Sequence, residues 1–487
     1  MYHPSSKRKE LAARILTYGL MTVTVVTLVA VSLFYTLGYR FDSKDHKLEL
    51  SGLVQFVTSP SNAVVEIDGA RHDQATPTKE TLMAGSHEFV MWKEGYETWR
   101  KTLNIDAGTL TWLNYTRLVP KKRQVETVVT MPTLAQTLAS PNNRYIAALA
   151  DATKPVISFY NLSSDRVNES TLPVATDNYS QATTPGITHQ WAIDQWDQDG
   201  RYLLLKHTYG ANTEWVEVDR QTNSVVMNIT RTFDTDIASA YFADNNPSIL
   251  YAKIGDDVRR VNLSDKTVSA PLVSQVAEFK PYGNVIAYVR LADKTSGERV
   301  AGVVKDGAQP VDLYRSTSSP LVPVQIRAAR YFNKDYAVVS DGASVRIMSG
   351  TFPESPKERK VLKTSGTFSF TSDVAWLQMS PSGRFIIAQN AASYAGYDLE
   401  RHELSPIATL AGTTEPKPVK WLDDYYVWSD RSEMLTSREF DGANQHALSA
   451  VATGYDATLT QNGRWLYSIG KRTDGHYQLQ RIRMILP

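Results

Sequence analysis

Three carboxylates, Asp194, Asp197 and Asp199, followed by Gly200, are the residues of this chain whose spacing comes nearest to metal chemistry. Carboxylate oxygens beside a glycine are what a calcium loop presents. The register does not suit an EF-hand, because Gln195 stands two positions before Asp197 and the twelfth position is Lys206. The string also aligns with turns that recur through the chain, so an inter-strand turn is expected, with a cation site as the alternative. His189 and His207 lie 18 residues apart in one repeat. They are expected to be satisfied strand or loop residues, since none of the nine histidines stands in the His-Glu-x-x-His arrangement that sets two imidazoles on one zinc.

Other chemistries lack their parts. No Gly-x-Ser-x-Gly string offers a nucleophile elbow. Gly470-Lys471 is followed by Arg472 and has neither the upstream glycine nor the hydroxyl of a phosphate loop. The absence of cysteine removes thiol nucleophiles, thiolate zinc sites, disulfides and lipid-bearing cysteines. The expectation is therefore no catalytic residue, no metal ligand and no cofactor, with the binding residues unassigned. With 52 Lys plus Arg against 51 Asp plus Glu there is no basic excess to draw in a phosphate backbone, so a nucleic-acid partner is not expected. Lys121-Lys122-Arg123 reads as a solvated linker, with anionic lipid or wall polymer as the alternative contact.

The elements that must position any site begin with 25 uncharged residues, Ile15 to Tyr39. As a helix they would span about 37 Å, enough for a bilayer core. Four basic residues precede the run (Lys7, Arg8, Lys9, Arg14) and three follow closely (Arg40, Lys44, Lys47), which predicts a cytoplasmic N-terminus, residues 1–14, and an extracytoplasmic remainder. The run exceeds a signal-peptide core, and Thr36-Leu37-Gly38 makes a poor cleavage site, so an uncleaved transmembrane helix over residues 15–39 is expected.

Residues 51–118 alternate in short runs, Leu53 to Val57, Ala63 to Ile67 and His87 to Trp92, divided by the turn residues Ser59-Pro60-Ser61-Asn62, Asp68-Gly69, Thr76-Pro77 and Ala84-Gly85-Ser86. A small β-sandwich is predicted. Pro60-Ser61-Asn62-Ala63 before a Val-x-Ile strand, Asp68-Gly69, Thr76-Pro77, Gly85-Ser86-His87 and Lys93-Glu94-Gly95-Tyr96 resemble the PEGA domain, although Asn62 stands where the family has glycine. The resemblance implies an envelope-facing spacer or binding module without catalytic apparatus. Gly95-Tyr96 is expected to be a turn glycine and a core tyrosine.

From residue 122 to the end a turn followed by an apolar strand recurs, as in Ser140-Pro141-Asn142-Asn143, Asp197-Gln198-Asp199-Gly200, Ser380-Pro381-Ser382-Gly383 and Thr460-Gln461-Asn462-Gly463. Lys280-Pro281-Tyr282-Gly283 is a fifth copy, and weaker copies occupy Ala243-Asp244-Asn245-Asn246, Phe332-Asn333-Lys334-Asp335-Tyr336 and Leu422-Asp423-Asp424-Tyr425. Each copy is followed by a strand ending in a polar turn marked by Asn161, Asp219, Asn262, Asp306, Ser349, Asp398 and Asp441, in steps of 58, 43, 44, 43, 49 and 43. Four-stranded propeller blades have this spacing. An eight-bladed β-propeller is predicted, seven if the long first step hides a mispaired element, with Gln124 to Thr130 supplying the outer strand of the last blade. The Ser-Pro-x-Gly-Arg-aromatic pattern is similar to the repeats of TolB-like and WD40-like propellers. Turn chemistry accounts for Asn161 and Asn262, which stand in two of six Asn-x-Ser/Thr strings.

The whole predicts an all-β ectodomain on one membrane helix, binding envelope protein or wall glycan through a propeller face. An enzyme with its site in the central channel, or a sensor or assembly subunit of a membrane complex, are the alternatives.

Overall fold

The computed structural model describes residues 7–36, 39–42, 47–181, 186–319, 321–358, 362–412 and 416–487. Leu37, Gly38 and Lys44, which enter the cleavage-site and charge arguments, lie outside them. A helix α1 (Lys7–Thr36) opens the chain, and Leu11–Phe34 within it is long and apolar enough to cross a membrane, with no part of it buried in protein. Three of its threonines satisfy their hydroxyls within the helix: Thr17, Thr22 and Thr24 donate to the carbonyls of Ala13, Tyr18 and Leu20 at 2.8–2.9 Å. Such bonds let threonine side chains meet hydrocarbon without an open hydroxyl. The helix stops short of Tyr39, which begins a strand instead.

The chain divides into two compact units, residues 1–122 and 123–487. After α1 the first unit contains β1 (Tyr39–Asp42), β2 (Lys47–Ser59), β3 (Val64–Ile67), β4 (Ala70–Arg71), β5 (Thr78–Met83), β6 (Gly85–Trp92), β7 (Trp99–Ile105) and β8 (Leu110–Arg117). One sheet runs β1-β2-β5 with β8 parallel on β2, and the other runs β4-β3-β6-β7. Val54, Phe56 and Leu113 of the first sheet and Val65, Phe89 and Met91 of the second are fully buried, the alternate-residue signature of a two-sheet core. The Phe56 and Phe89 rings meet at 5.6 Å. Tyr96 is buried, as read from the sequence. Asn62 takes a left-handed φ of 61°, a conformation that asparagine tolerates better than most residues, so the turn survives without glycine.

The second unit opens with β9 (Val125–Met131) and continues, among the described residues, through eight successive sheets. Their strands fall within 136–173, 189–228, 237–268, 276–316, 324–369, 376–409, 420–450 and 458–483. The first strands of adjacent sheets lie side by side and line the inside of the ring. Glutamine amides stitch them together: Gln136 both accepts from the Ile193 N–H and donates to the Ile193 carbonyl, at 2.8 and 2.6 Å, and Gln325 and Gln378 bridge later pairs. Apolar clusters fill the gaps between sheets, such as Phe159, Trp191, Trp196 and Val218 between the first and second.

The ring closes as the repeat predicts, with β9 pairing antiparallel to Tyr477–Arg483 as the outer strand of the last sheet. Its Met131 joins a cluster with Ile146, Tyr160, Trp465 and Leu479, which packs the last sheet against the first. The long first step of the repeat lies between Pro173 and His189, where the described residues form only a short 3-10 turn at Thr176–Asn178.

Candidate functional site

The recurring turns are a hydrogen-bonded device. Of the five strong copies, the one at Lys280 runs as strand through Tyr282 and turns at Gly283-Asn284. In the other four the first residue donates its N–H to the carbonyl five positions on: Ser140 to Tyr145, Asp197 to Tyr202, Ser380 to Phe385 and Thr460 to Trp465, at 2.8–2.9 Å. Its side-chain oxygen accepts the N–H of the same partner, at 3.0, 2.8, 3.0 and 3.1 Å. Ser, Asp and Thr are interchangeable there because each supplies one short acceptor. Asn143, Gly200, Gly383 and Gly463 then take the left-handed φ that reverses the chain. Asp197 is thus the aspartate version of Ser140, its Oδ1 already taken by the N–H groups of Arg201 and Tyr202. Among the described residues no group of three or more histidines and carboxylates is placed to hold a metal ion.

In antiparallel four-stranded sheets the first and third turns fall at the same end. Six sheets tie the two together with one backbone bond, of which Leu162 N–H to Arg144 O and Leu399 N–H to Arg384 O, at 2.8 and 3.0 Å, are examples. Arg201 and Arg384 of first turns pair with Asp219 and Asp398 of third turns at 2.7 and 2.6 Å. Asn161 and Asn262 accept N–H groups from the residues that follow them, as turn chemistry requires. Both repeated sequence features therefore build one face of the ring.

That face holds a depression of about 980 Å³ bordered by the turns of the second to sixth sheets, including Asp199, Asp244, Tyr282, Arg330, Phe332 and Pro381. A second, of about 550 Å³, lies across the first, sixth, seventh and eighth sheets. Phe332 stands out. The two-residue turns Gly283-Asn284 and Phe332-Asn333 occupy matching places in neighbouring sheets, flanked by the pairs Tyr282–Val285 and Tyr331–Lys334. Gly283 has φ 57° and Phe332 has φ 50°, so a phenylalanine holds a backbone conformation that its neighbour gives to glycine. It costs about 1–2 kcal/mol for an L-residue. The ring recovers little of that by burial, being 75% exposed and touching Tyr331 edge-on at 4.7 Å. In the sequence this turn is only a weak copy of the repeat, and the aromatic in the glycine position is its one distinguishing mark.

Two further clusters do not read as active sites. At the opposite end of the second sheet His189 Nδ1 lies 2.8 Å from His207 Nε2, and His207 Nδ1 lies 3.1 Å from Glu214 Oε2. Ser180 donates both its N–H and its hydroxyl to Glu214. His207 is fully buried between Trp191 at 4.2 Å and Tyr209 at 4.9 Å, with both ring nitrogens engaged. Burial holds its pKa below the usual imidazole range, against the pull of Glu214. The unfolded chain therefore takes up this proton first, and stability is lost as pH falls through about 6.5. In a Glu217→Gln background, which removes the opposite pH dependence of that carboxyl, the urea midpoint should fall between pH 7 and pH 5, and adding His207→Gln should flatten that part of the profile; an unchanged profile would show that the pair does not titrate with unfolding.

In the ring interior Asp194, Lys206, Tyr241 and Lys280 line a depression of about 560 Å³. Lys280 donates to the Tyr241 hydroxyl at 2.7 Å and lies over its ring, while burial raises the Asp194 carboxyl. Asp194 therefore faces the interior while Asp197 caps the turn and Asp199 borders the outer depression, so the three carboxylates of the sequence motif diverge.

Residues 51–120 match the PEGA domain model and are a PEGA domain. No curated protein matches the chain. Among solved structures the C-terminal WD40 domain of Sif2 is similar at 10% identity and a TM-score of 0.50, covering 74% of this chain and 98% of its own. The β-propeller domain of Myceliophteria thermophila Cps50 (Swd1) matches at 11% identity and a TM-score of 0.40, covering 68% of this chain and all of its own. The second unit has the β-propeller fold.

Proposed function

We propose that this chain is a single-pass membrane scaffold of the bacterial cell envelope, with its N-terminus in the cytoplasm, that binds a protein partner on the turn face of its propeller. The observation that carries this reading is Phe332, a ring held out on a strained turn at the edge of the broad depression. An exposed aromatic of this kind is what a partner's pocket takes as an anchor, and local strain without compensating burial points to function. The polar border formed by Asp199, Asp244 and Arg330 suits the rim of such an interface. The apolar helix and the basic residues before it support the anchor and its direction.

Phe332→Gly separates binding from folding. It should leave the fold intact and raise its stability by up to about 1 kcal/mol in urea, because glycine suits the turn. The same variant should lose at least about tenfold of the affinity for the partner retained by the wild-type ectodomain. Unchanged retention would remove Phe332 as the anchor, and retention of wall glycan alone would replace the protein partner.

A further inference from the structure

We infer that the outward face of the sheet β1-β2-β5-β8 rests on the lipid bilayer, a second membrane contact beside the helix; this rests on the reading of α1 as a membrane anchor. Trp112 and Leu110 are 47% and 42% exposed on β8, although Thr111 and Leu113 between and beyond them are buried. Parallel pairing sets Leu110 beside Leu53 and Trp112 beside Gln55, so the exposed side chains share the face turned away from the core. Two large apolar residues side by side on a small soluble module call for a covering surface. Tryptophan is the side chain that favours the headgroup level, its ring apolar and its N–H polar.

The occupant follows from the tether. Only two residues separate the end of α1 at Thr36 from β1 at Tyr39, a reach of at most about 11 Å. Tyr39 lies opposite Leu50, three residues before Leu53 on β2. Leu53 in turn pairs with Leu110, so the patch begins within about 30 Å of the helix end, and a bilayer is the apolar surface that this tether keeps within reach.

The cysteine-free chain allows a single environment-sensitive fluorophore on Asn114→Cys, two residues beyond Trp112 on the same face, with Thr102→Cys on the outer face of the other sheet as control. The full chain is reconstituted into phosphatidylethanolamine and phosphatidylglycerol vesicles containing a shallow spin-labelled lipid, and flotation is measured first. A floating chain should show quenching of roughly half at position 114 and under about a tenth at 102. Adding Leu110→Ser and Trp112→Ser should bring position 114 down to the control level. Equal quenching at both positions, or a label at 114 reached by aqueous iodide as freely as that at 102, overturns the proposal while leaving the anchor intact. Shielding at 114 from both lipid and iodide also overturns it, since protein would then cover the face. A chain that does not float removes the anchor reading itself.

Discussion

Glu217→Gln should make the protein more stable at pH 8 by about 2–3 kcal/mol, with the gain shrinking below about 1 kcal/mol at pH 5. Glu217 lies on the same side of its strand as Trp215 and Asp219, 3% exposed between the second and third sheets. Burial, and then the charges of Asp197 and Asp219, push its carboxyl up to about 7. The unfolded chain gives up that proton near 4.5, the ordinary value, whereas the folded chain holds it to about neutrality. Stability is therefore lost as pH rises between those values, and the full penalty is present above them. Glutamine keeps the shape and carries no charge to bury. Urea unfolding of both proteins at pH 5 and pH 8 decides this; an equal difference at both would mean that Glu217 is ionised without penalty.

Replacing the seven residues Val125–Met131 by a Gly/Ser segment of equal length should cost at least about 3 kcal/mol and make the protein associate as its concentration rises. β9 supplies the outer partner of Tyr477–Arg483, where Leu479 and Ile482 are buried. Without it that strand becomes a free edge and the cluster joining the last sheet to the first loses Met131. Calorimetry and sedimentation at several concentrations read the two effects. A fully cooperative, monomeric variant would mean that the ring does not depend on this closure.

The ring and its closing strand were legible because each repeat turn needs particular residues. A short acceptor at Ser140, Ser380 or Thr460 and a residue tolerant of positive φ three positions later leave a mark that survives wide variation elsewhere. The PEGA domain was readable for the same reason. Glu217 was not, because alternation puts a polar residue between valines on an outer face, whereas propeller sheets are covered on both sides. Nor was the His189–His207 contact, which depends on the strand pairing of Trp191 with His207 and on the register shift between Ile193 and Gln195. At Phe332 the sequence shows an aromatic where a turn glycine is usual, but that the phenylalanine itself takes the left-handed φ follows only from the backbone.

The central claim is that the turn face engages a protein. The direct test places a photo-crosslinking phenylalanine analogue at Phe332 in living cells, and at Ser344, the exposed strand residue next to the turn at the other end of the same sheet, as the control. The account predicts a discrete crosslinked protein species from position 332 and none from 344. Crosslinks from 344 alone, or from neither position, would contradict it.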